Sequence, residues 1–145
     1  MRVVLDTSVL VAGLRSPAGL SASWIGRFIE RRCGVLSVPL CAEYEAKGTV
    51  PEVLAAGGLR ARDVTDIIDA MVKTSRLVTR PFLLRPSLPD PQDEMVLETA
   101  VAGSAEVIVT FNLRDFQGAE RYGVRVLKPI QATEWMDGRS RREEG

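Results

Sequence analysis

Asp6 in VVLDTS, Glu43 in LCAEYEAK, Asp93 in PDPQDEMVLETA and Asp115 in TFNLRDF are acids far apart in the chain, each near the start or end of an apolar segment. What they can do is narrowed by what is missing. The chain has no histidine, which removes Ser-His-Asp and Cys-His chemistry, histidine general bases and mixed histidine metal sites. Cys33 and Cys41 have neither zinc-ligand spacing nor a disulfide framework around them, and read as two buried thiols. Catalysis would have to use carboxylates, hydroxyls, Lys, Arg or a metal. Carboxylates that gather at one place repel unless a cation neutralises them. With only oxygen ligands on offer, that cation would be a hard divalent ion, Mg²⁺ or Mn²⁺.

Whether the acids do gather depends on the elements that carry them. RVVLD, VLSVP (35–39), EVIVT (106–110) and VRVL (124–127) are short apolar runs of the kind that form buried strands, and LVTR (77–80) suggests a short additional one. Helical patterns lie between them: SASWIGRFIERR, LCAEYEAK, ARDVTDIIDAMVKTS, DPQDEMVLETAVAG and PIQATEWMD. In the third, Val64, Ile67, Ile68, Met71 and Val72 repeat at helical spacing. Strands alternating with helices predict a parallel sheet covered on both faces, whose sites lie beyond the carboxyl ends of the strands. Asp6 ends the first strand, and Thr110 ends the third, with Asn112 and Asp115 close behind. Glu43 and Glu45 follow the second strand, and Asp93 opens the helix before the third. All would meet at one edge. A local reading competes at Asp93: Asp90 suits an N-cap, Pro91 suits N1, and acids in a first turn oppose the helix dipole.

The bulk properties set the frame. With 145 residues, 46% hydrophobic and 26% charged, the chain predicts one soluble domain. Asp6 interrupts the apolar N-terminus, no run approaches a membrane span, and a cytoplasmic location is expected. Acids and bases balance at nineteen each. Most of the bases are Arg, whose planar fork suits phosphate.

Taken together, VVLDTSVLVAGL, LCAEYEA, DPQDEMVLETAVAGSAEVIVT and TFNLRDF resemble, over roughly residues 2–130, the PIN-domain nucleases, including the VapC-like toxins of toxin-antitoxin pairs. KGTVPEVLAAGGL departs from the family's pattern. The resemblance implies a three-layer α/β/α fold with a central, mostly parallel sheet of four to five strands, spanning 1–138 and followed by a flexible charged tail, 139–145. It implies an acidic quartet of Asp6, Glu43, Asp93 and Asp115 as catalytic residues and metal ligands. Glu45 remains the rival to Glu43. Thr7 or Ser8, Thr110 and Asn112 would support the quartet, and Asp93 passes from the cap, which Asp90 satisfies, to the site. The implied activity is hydrolysis of RNA phosphodiester bonds with one or two Mg²⁺ or Mn²⁺ ions. Four acids occupied by metal would leave fifteen against nineteen bases, a net +4 that suits an RNA backbone. Arg15, Arg85 and Arg114 are the expected phosphate contacts. The implied partners are a small cognate antitoxin and a second copy of the chain; Trp24, Phe28 and Ile29 are candidates for that interface, with core packing the simpler role. The alternative is a catalytically inactive PIN-like RNA-binding or protein-interaction domain. Haloacid-type phosphatases need a second acid where Ser8 stands, and no phosphate-binding glycine motif is present.

Overall fold

The computed structural model describes residues 1–79 and 88–144. Its five strands are β1 (Val3–Leu5), β2 (Val35–Ser37), β3 (Arg76–Val78), β4 (Val107–Val109) and β5 (Arg125–Leu127). All pairings are parallel. β1 pairs with β4 in the register Val3 to Val107, and β4 with β5 in the register Val107 to Arg125. β2 pairs with β3, Val35 against Arg76. The two sets are joined at one place, a bridge between Val3 and Gly34, where the Val3 N–H donates to Cys33 O at 2.8 Å. The order across the sheet is therefore β3-β2-β1-β4-β5. β1, β2 and β4 are fully buried, as strands covered on both faces must be. The expected three-layer α/β fold is present.

Seven helices are found among the described residues: α1 (Thr7–Arg15), α2 (Leu20–Glu30), α3 (Val38–Gly48), α4 (Pro51–Gly57), α5 (Ala61–Thr74), α6 (Pro91–Ala102) and α7 (Pro129–Glu144). Parallel crossovers are right-handed, so the connections moving outward from β1 through β2 to β3 cover one face. The return through α6 covers the other, and α6 packs on β1, β2 and β4. The chain thus leaves β1 in one direction and β4 in the opposite one. Between the carboxyl ends of two such strands the connections diverge and leave a crevice, and Asp6 and Thr110 are the residues that follow those two ends.

Several elements differ from expectation for local reasons. The strand expected to run on to Pro39 stops at Ser37, whose hydroxyl accepts from the Leu40 N–H at 3.3 Å and caps α3. Pro39 then sits in the first turn, where its missing N–H costs nothing. α1 occupies part of what read only as an apolar N-terminal stretch. It crosses α2 so closely that a Cβ on Gly13 would stand 2.7 Å from Ile25 Cδ1, which is why a helix interior keeps a glycine there. α7 does not stop at Gly138 but continues to Glu144; Arg139 pairs with Glu106 and stacks on Trp135. Trp24 and Phe28 are fully buried, so both are core, while Ile29 is half-buried. The Trp24 indole N–H donates to Pro129 O and to Thr133 Oγ1, each at 3.0 Å, pinning the first turn of α7. Cys33 is buried and Cys41 only half-buried. Among the described residues no helix is long and apolar enough to cross a membrane.

Candidate active site

Beyond the carboxyl ends of β1 and β4 a cleft of about 380 Å³ opens, lined by Asp6, Thr7, Ser8, Glu43, Asp93, Asn112 and Asp115 together with Val11, Lys47, Asp90 and Gln92. The whole expected quartet lines this one space, brought there from the end of β1, from α3 and α6, and from the turn after β4.

Asp6 is the best supported of the acids. It is only 6% exposed, and its backbone N–H donates to Val109 O at 2.9 Å, continuing the β1–β4 ladder. Its Oδ2 accepts two hydroxyls, from Ser8 at 2.7 Å and from Thr110 at 2.8 Å. Among the described residues no buried side-chain oxygen or nitrogen lacks a partner, so Oδ1, which receives none of these bonds, opens on the cleft. Thr110 Oγ1 in turn accepts the Asn112 N–H at 3.0 Å. The supporting roles of Ser8 and Thr110 are thus hydrogen bonds to Asp6; Asn112 is tied to the same network by its backbone, and Thr7 contributes wall. Tyr44 adds a layer beneath. Its buried phenol donates to Leu5 O, one residue before Asp6, and burial, then the Asp6 charge, push its pKa well above 10. Replacing Thr110 with Val keeps the shape and leaves Asp6 with one hydroxyl. A hydrogen bond to a charged group is worth roughly 1.5–3 kcal/mol, so Thr110→Val is expected to lower unfolding free energy by about 2 kcal/mol in urea titration.

Asp90 and Asp93 divide the two roles that the sequence left open at the head of α6. Asp90 accepts the Gln92 N–H at 2.8 Å and caps the helix. Asp93 accepts no hydrogen bond from a described residue. Its pKa is raised from the usual 3.8 to about 6 by desolvation first, then by the charges of Asp6, Asp90 and Asp115. Glu94 turns away, buried, and holds the incoming chain by accepting the Leu88 N–H at 2.8 Å. The helix is held to the sheet by a buried hydrogen bond of 2.7 Å between the Ser37 and Thr99 hydroxyls. Of the two glutamates on α3, Glu43 lines the cleft and Glu45 is exposed and does not.

The cations are distributed differently from expectation. Arg114 borders an adjoining cleft with Asn112 and Asp115, Arg15 is exposed at the end of α1 and lines neither cleft, and Arg85 lies outside the described residues. Lys47 is the one cation among the described residues that lines the carboxylate cleft, and the sequence reading passed over it. Its signal was present: it stands four residues after Glu43 on one helix, a spacing that shares a face.

In donor chemistry the cleft suits a hard divalent ion. It offers carboxylate oxygens from four segments, one of them open on Asp6 and another, on Asp93, whose pKa is raised by desolvation and then by its acidic neighbours. Among the described residues, however, no three of these groups stand close enough to share one ion.

Comparison with known proteins places the chain. No curated protein and no solved structure matches it. A family model described as "PIN domain" matches residues 2–114, a span that includes Asp6, Glu43 and Asp93, ends one residue before Asp115, and is shorter than the resemblance read from the sequence. With a match over most of its length, and with a parallel sheet that brings these acids to one crevice, the chain belongs to the PIN-domain family.

Proposed function

We propose that the protein is a Mg²⁺- or Mn²⁺-dependent ribonuclease that hydrolyses RNA phosphodiester bonds at the carboxylate cleft, and that it serves as the toxin of a toxin-antitoxin pair. PIN domains are in general nucleases and typically use divalent metals. The observation that carries the proposal is that Asp6, Glu43, Asp93 and Asp115 line one cleft, with Asp93 in the first turn of a helix whose cap Asp90 already fills; desolvation, then the charges of Asp6, Asp90 and Asp115, raise its pKa to about 6. A fold tolerates such a cost where the group is used.

Asp6, Asp93 and Asp115 would hold the ion partly through its own waters, since no three of the described acids converge on it directly, with Glu43 either joining them or orienting the attacking water. A bound ion supplies a water of lowered pKa and charge stabilisation on the phosphate. The chain's own contribution is positional. Ser8 and Thr110 fix the Asp6 carboxylate so that Oδ1 faces the cleft. Lys47 offers an ammonium to a phosphate oxygen from the α3 wall. Arg114 stands at the mouth for the flanking backbone. A cytoplasmic nuclease of this kind needs restraint, for which a small cognate protein seated over the cleft is the natural device. Self-association would have to use a surface other than Trp24 and Phe28.

The spacing of the acids favours a second reading, an inactive PIN-like binding domain, because no three described groups converge on one ion. One experiment separates the two. Purified protein is given a labelled structured RNA with Mg²⁺, with Mn²⁺ and with EDTA, alongside Asp6→Asn. Cutting that needs metal and is lost in the variant, by a hundredfold or more given that even supporting residues of metal sites cost about 10- to 100-fold, supports the nuclease. No cutting, with no Mn²⁺ binding by calorimetry, would leave the binding domain.

A further inference from the structure

Phe111 lies between Thr110, which is fully buried, and Asn112, yet the residue is 45% exposed. The backbone leaves it no alternative. Thr110 N–H donates to Leu127 O at 3.0 Å, Thr110 Oγ1 to Asp6, and Asn112 N–H to Thr110 Oγ1. Turning Phe111 inward would break the network that holds Asp6. The ring does not stand alone either, since Leu20 at 40% and Ile130 at 53% exposure share with it an apolar cleft of about 340 Å³. A single exposed apolar side chain needs no explanation, but a contiguous group of them in a cleft beside an active site does.

This cleft neighbours the carboxylates by way of one intermediate space. A second space, lined by Phe111, Asn112, Leu113, Arg114, Asp115 and Lys128, shares Asn112 and Asp115 with the carboxylate cleft and Phe111 and Lys128 with the apolar one. Asn112 and Asp115 thus border both the carboxylate cleft and the space in which the ring stands. Lys128 and Arg114 are both exposed there, and neither forms an ion pair with a described residue.

We propose that Phe111, flanked by Lys128 and Arg114, is a nucleotide subsite: its ring takes one unstacked base while the two cations meet phosphates on either side. The proposal rests on the nuclease reading. It deepens that reading by adding a base-binding element to a site so far described only by its acids. An exposed aromatic face between unpaired cations is the pattern by which single strands are held without base-edge readout. A protein segment, by contrast, would be expected to meet an apolar floor without two uncompensated cations at its rim. Because a base inside a duplex is already stacked on its neighbours, only single-stranded or looped RNA can use the ring.

The test is binding, kept separate from cleavage. A fluorescent single-stranded RNA oligonucleotide is titrated by anisotropy in EDTA against wild type, Phe111→Ala, Phe111→Trp, Lys128→Ala and Arg114→Ala, with a duplex of the same sequence as control. Phe111→Ala should weaken single-strand binding by about tenfold or more, the scale of losing one base stack, while Phe111→Trp keeps it. Duplex affinity should not change in either. Lys128→Ala and Arg114→Ala should each lower the slope of log affinity against log salt by about 1. Equal affinity of wild type and Phe111→Ala for the single strand, or no binding by wild type, overturns the subsite. So does a change in oligomeric state in Phe111→Ala with RNA affinity unmoved, which would give the cleft to a second copy. Phe111-dependent binding without metal-dependent cutting would sink the nuclease and keep the subsite. Cutting with an unchanged KM in Phe111→Ala would do the reverse.

Discussion

Asp93→Asn is expected to lose metal-dependent cleavage and, in the presence of a chelator at pH 7, to unfold at a higher temperature than the wild type. The two effects have one cause. The carboxyl is desolvated in the cleft and faces Asp6, Asp90 and Asp115, and its pKa stands near 6 rather than 3.8. A carboxylate whose pKa is raised by folding binds its proton more tightly in the folded chain. Its ionised form therefore costs stability above about pH 6, and that cost falls away as pH drops through 6 toward 3.8. The full shift corresponds to about 3 kcal/mol. The cleft is open to water, which screens the interaction and brings the expected gain in the Asn variant to about 1 kcal/mol, or about 3 °C in Tm. Thermal unfolding in EDTA should show the variant ahead at pH 7 and level with the wild type near pH 4. Adding Mn²⁺ at pH 7 should raise the wild type and leave the variant where it was, since only a protein that binds the ion is stabilised by it. An Asn variant less stable than wild type at pH 7 without metal would show that Asp93 is a structural residue.

Trp24→Ala carries the larger stability effect. The side chain is fully buried, its indole N–H is shared between Pro129 O and Thr133 Oγ1, and Arg27 lies over its ring at 5.6 Å while pairing with Asp137 at 2.8 Å. Truncating a buried tryptophan costs roughly 3–5 kcal/mol through lost transfer energy and the cavity left behind. Pro129 O and Thr133 Oγ1 would each also lose one donor, Pro129 O keeping the Thr133 hydroxyl. Against a total of roughly 5–15 kcal/mol for a domain, the variant should unfold at much lower urea when followed by far-ultraviolet circular dichroism. Trp24→Phe keeps a six-membered ring and loses the N–H together with two ring carbons, for about 2 kcal/mol. Similar losses in both variants would mean that the hydrogen bonds, and not the packing, hold α7.

The strands were the most legible part of the sequence, because Val3–Leu5, Val35–Ser37 and Val107–Val109 are covered on both faces and so are apolar without alternation. The α5 stripe was equally plain: Val64, Ile68 and Met71 are buried where helical spacing puts them. The helices that escaped were those whose residues serve packing against local propensity. α1 is rich in β-branched residues and carries Gly13 at its contact with α2, and α4 is a short helix between Pro51 and the left-handed Gly58. α7 looked finished at Gly138 because the residues after it are charged, yet Arg31 to Ser140 and Arg139 to Glu106 tie its last turns to neighbours remote in sequence. In the site, the acids could be read because topology alone sends them to one edge. The hydroxyl network on Asp6 could be read only as a set of candidates, since which of Thr7 and Ser8 turns inward is decided by a single step of helix. Phe111 was unreadable, for a Phe after a strand is ordinarily core.

The sheet has a seam. Its hydrogen-bond ladder is unbroken across β1, β4 and β5 and again across β2 and β3, but the two parts meet at one bridge, Val3 to Gly34. Beside that bridge the β2 plate is packed by side chains against the helices: the Phe28 ring of α2 lies where a Cβ on Gly34 would be, 2.0 Å away, and Val35 fills the same place over Gly103 at the end of α6. The acids are divided along it, Asp6 and Asp115 standing beyond β1 and β4, and Glu43 on the helix that leaves β2. The cleft thus spans the line between two hydrogen-bonded plates, and the apolar contacts at Gly34 and Gly103 lie at the opposite ends of the strands from its carboxylates.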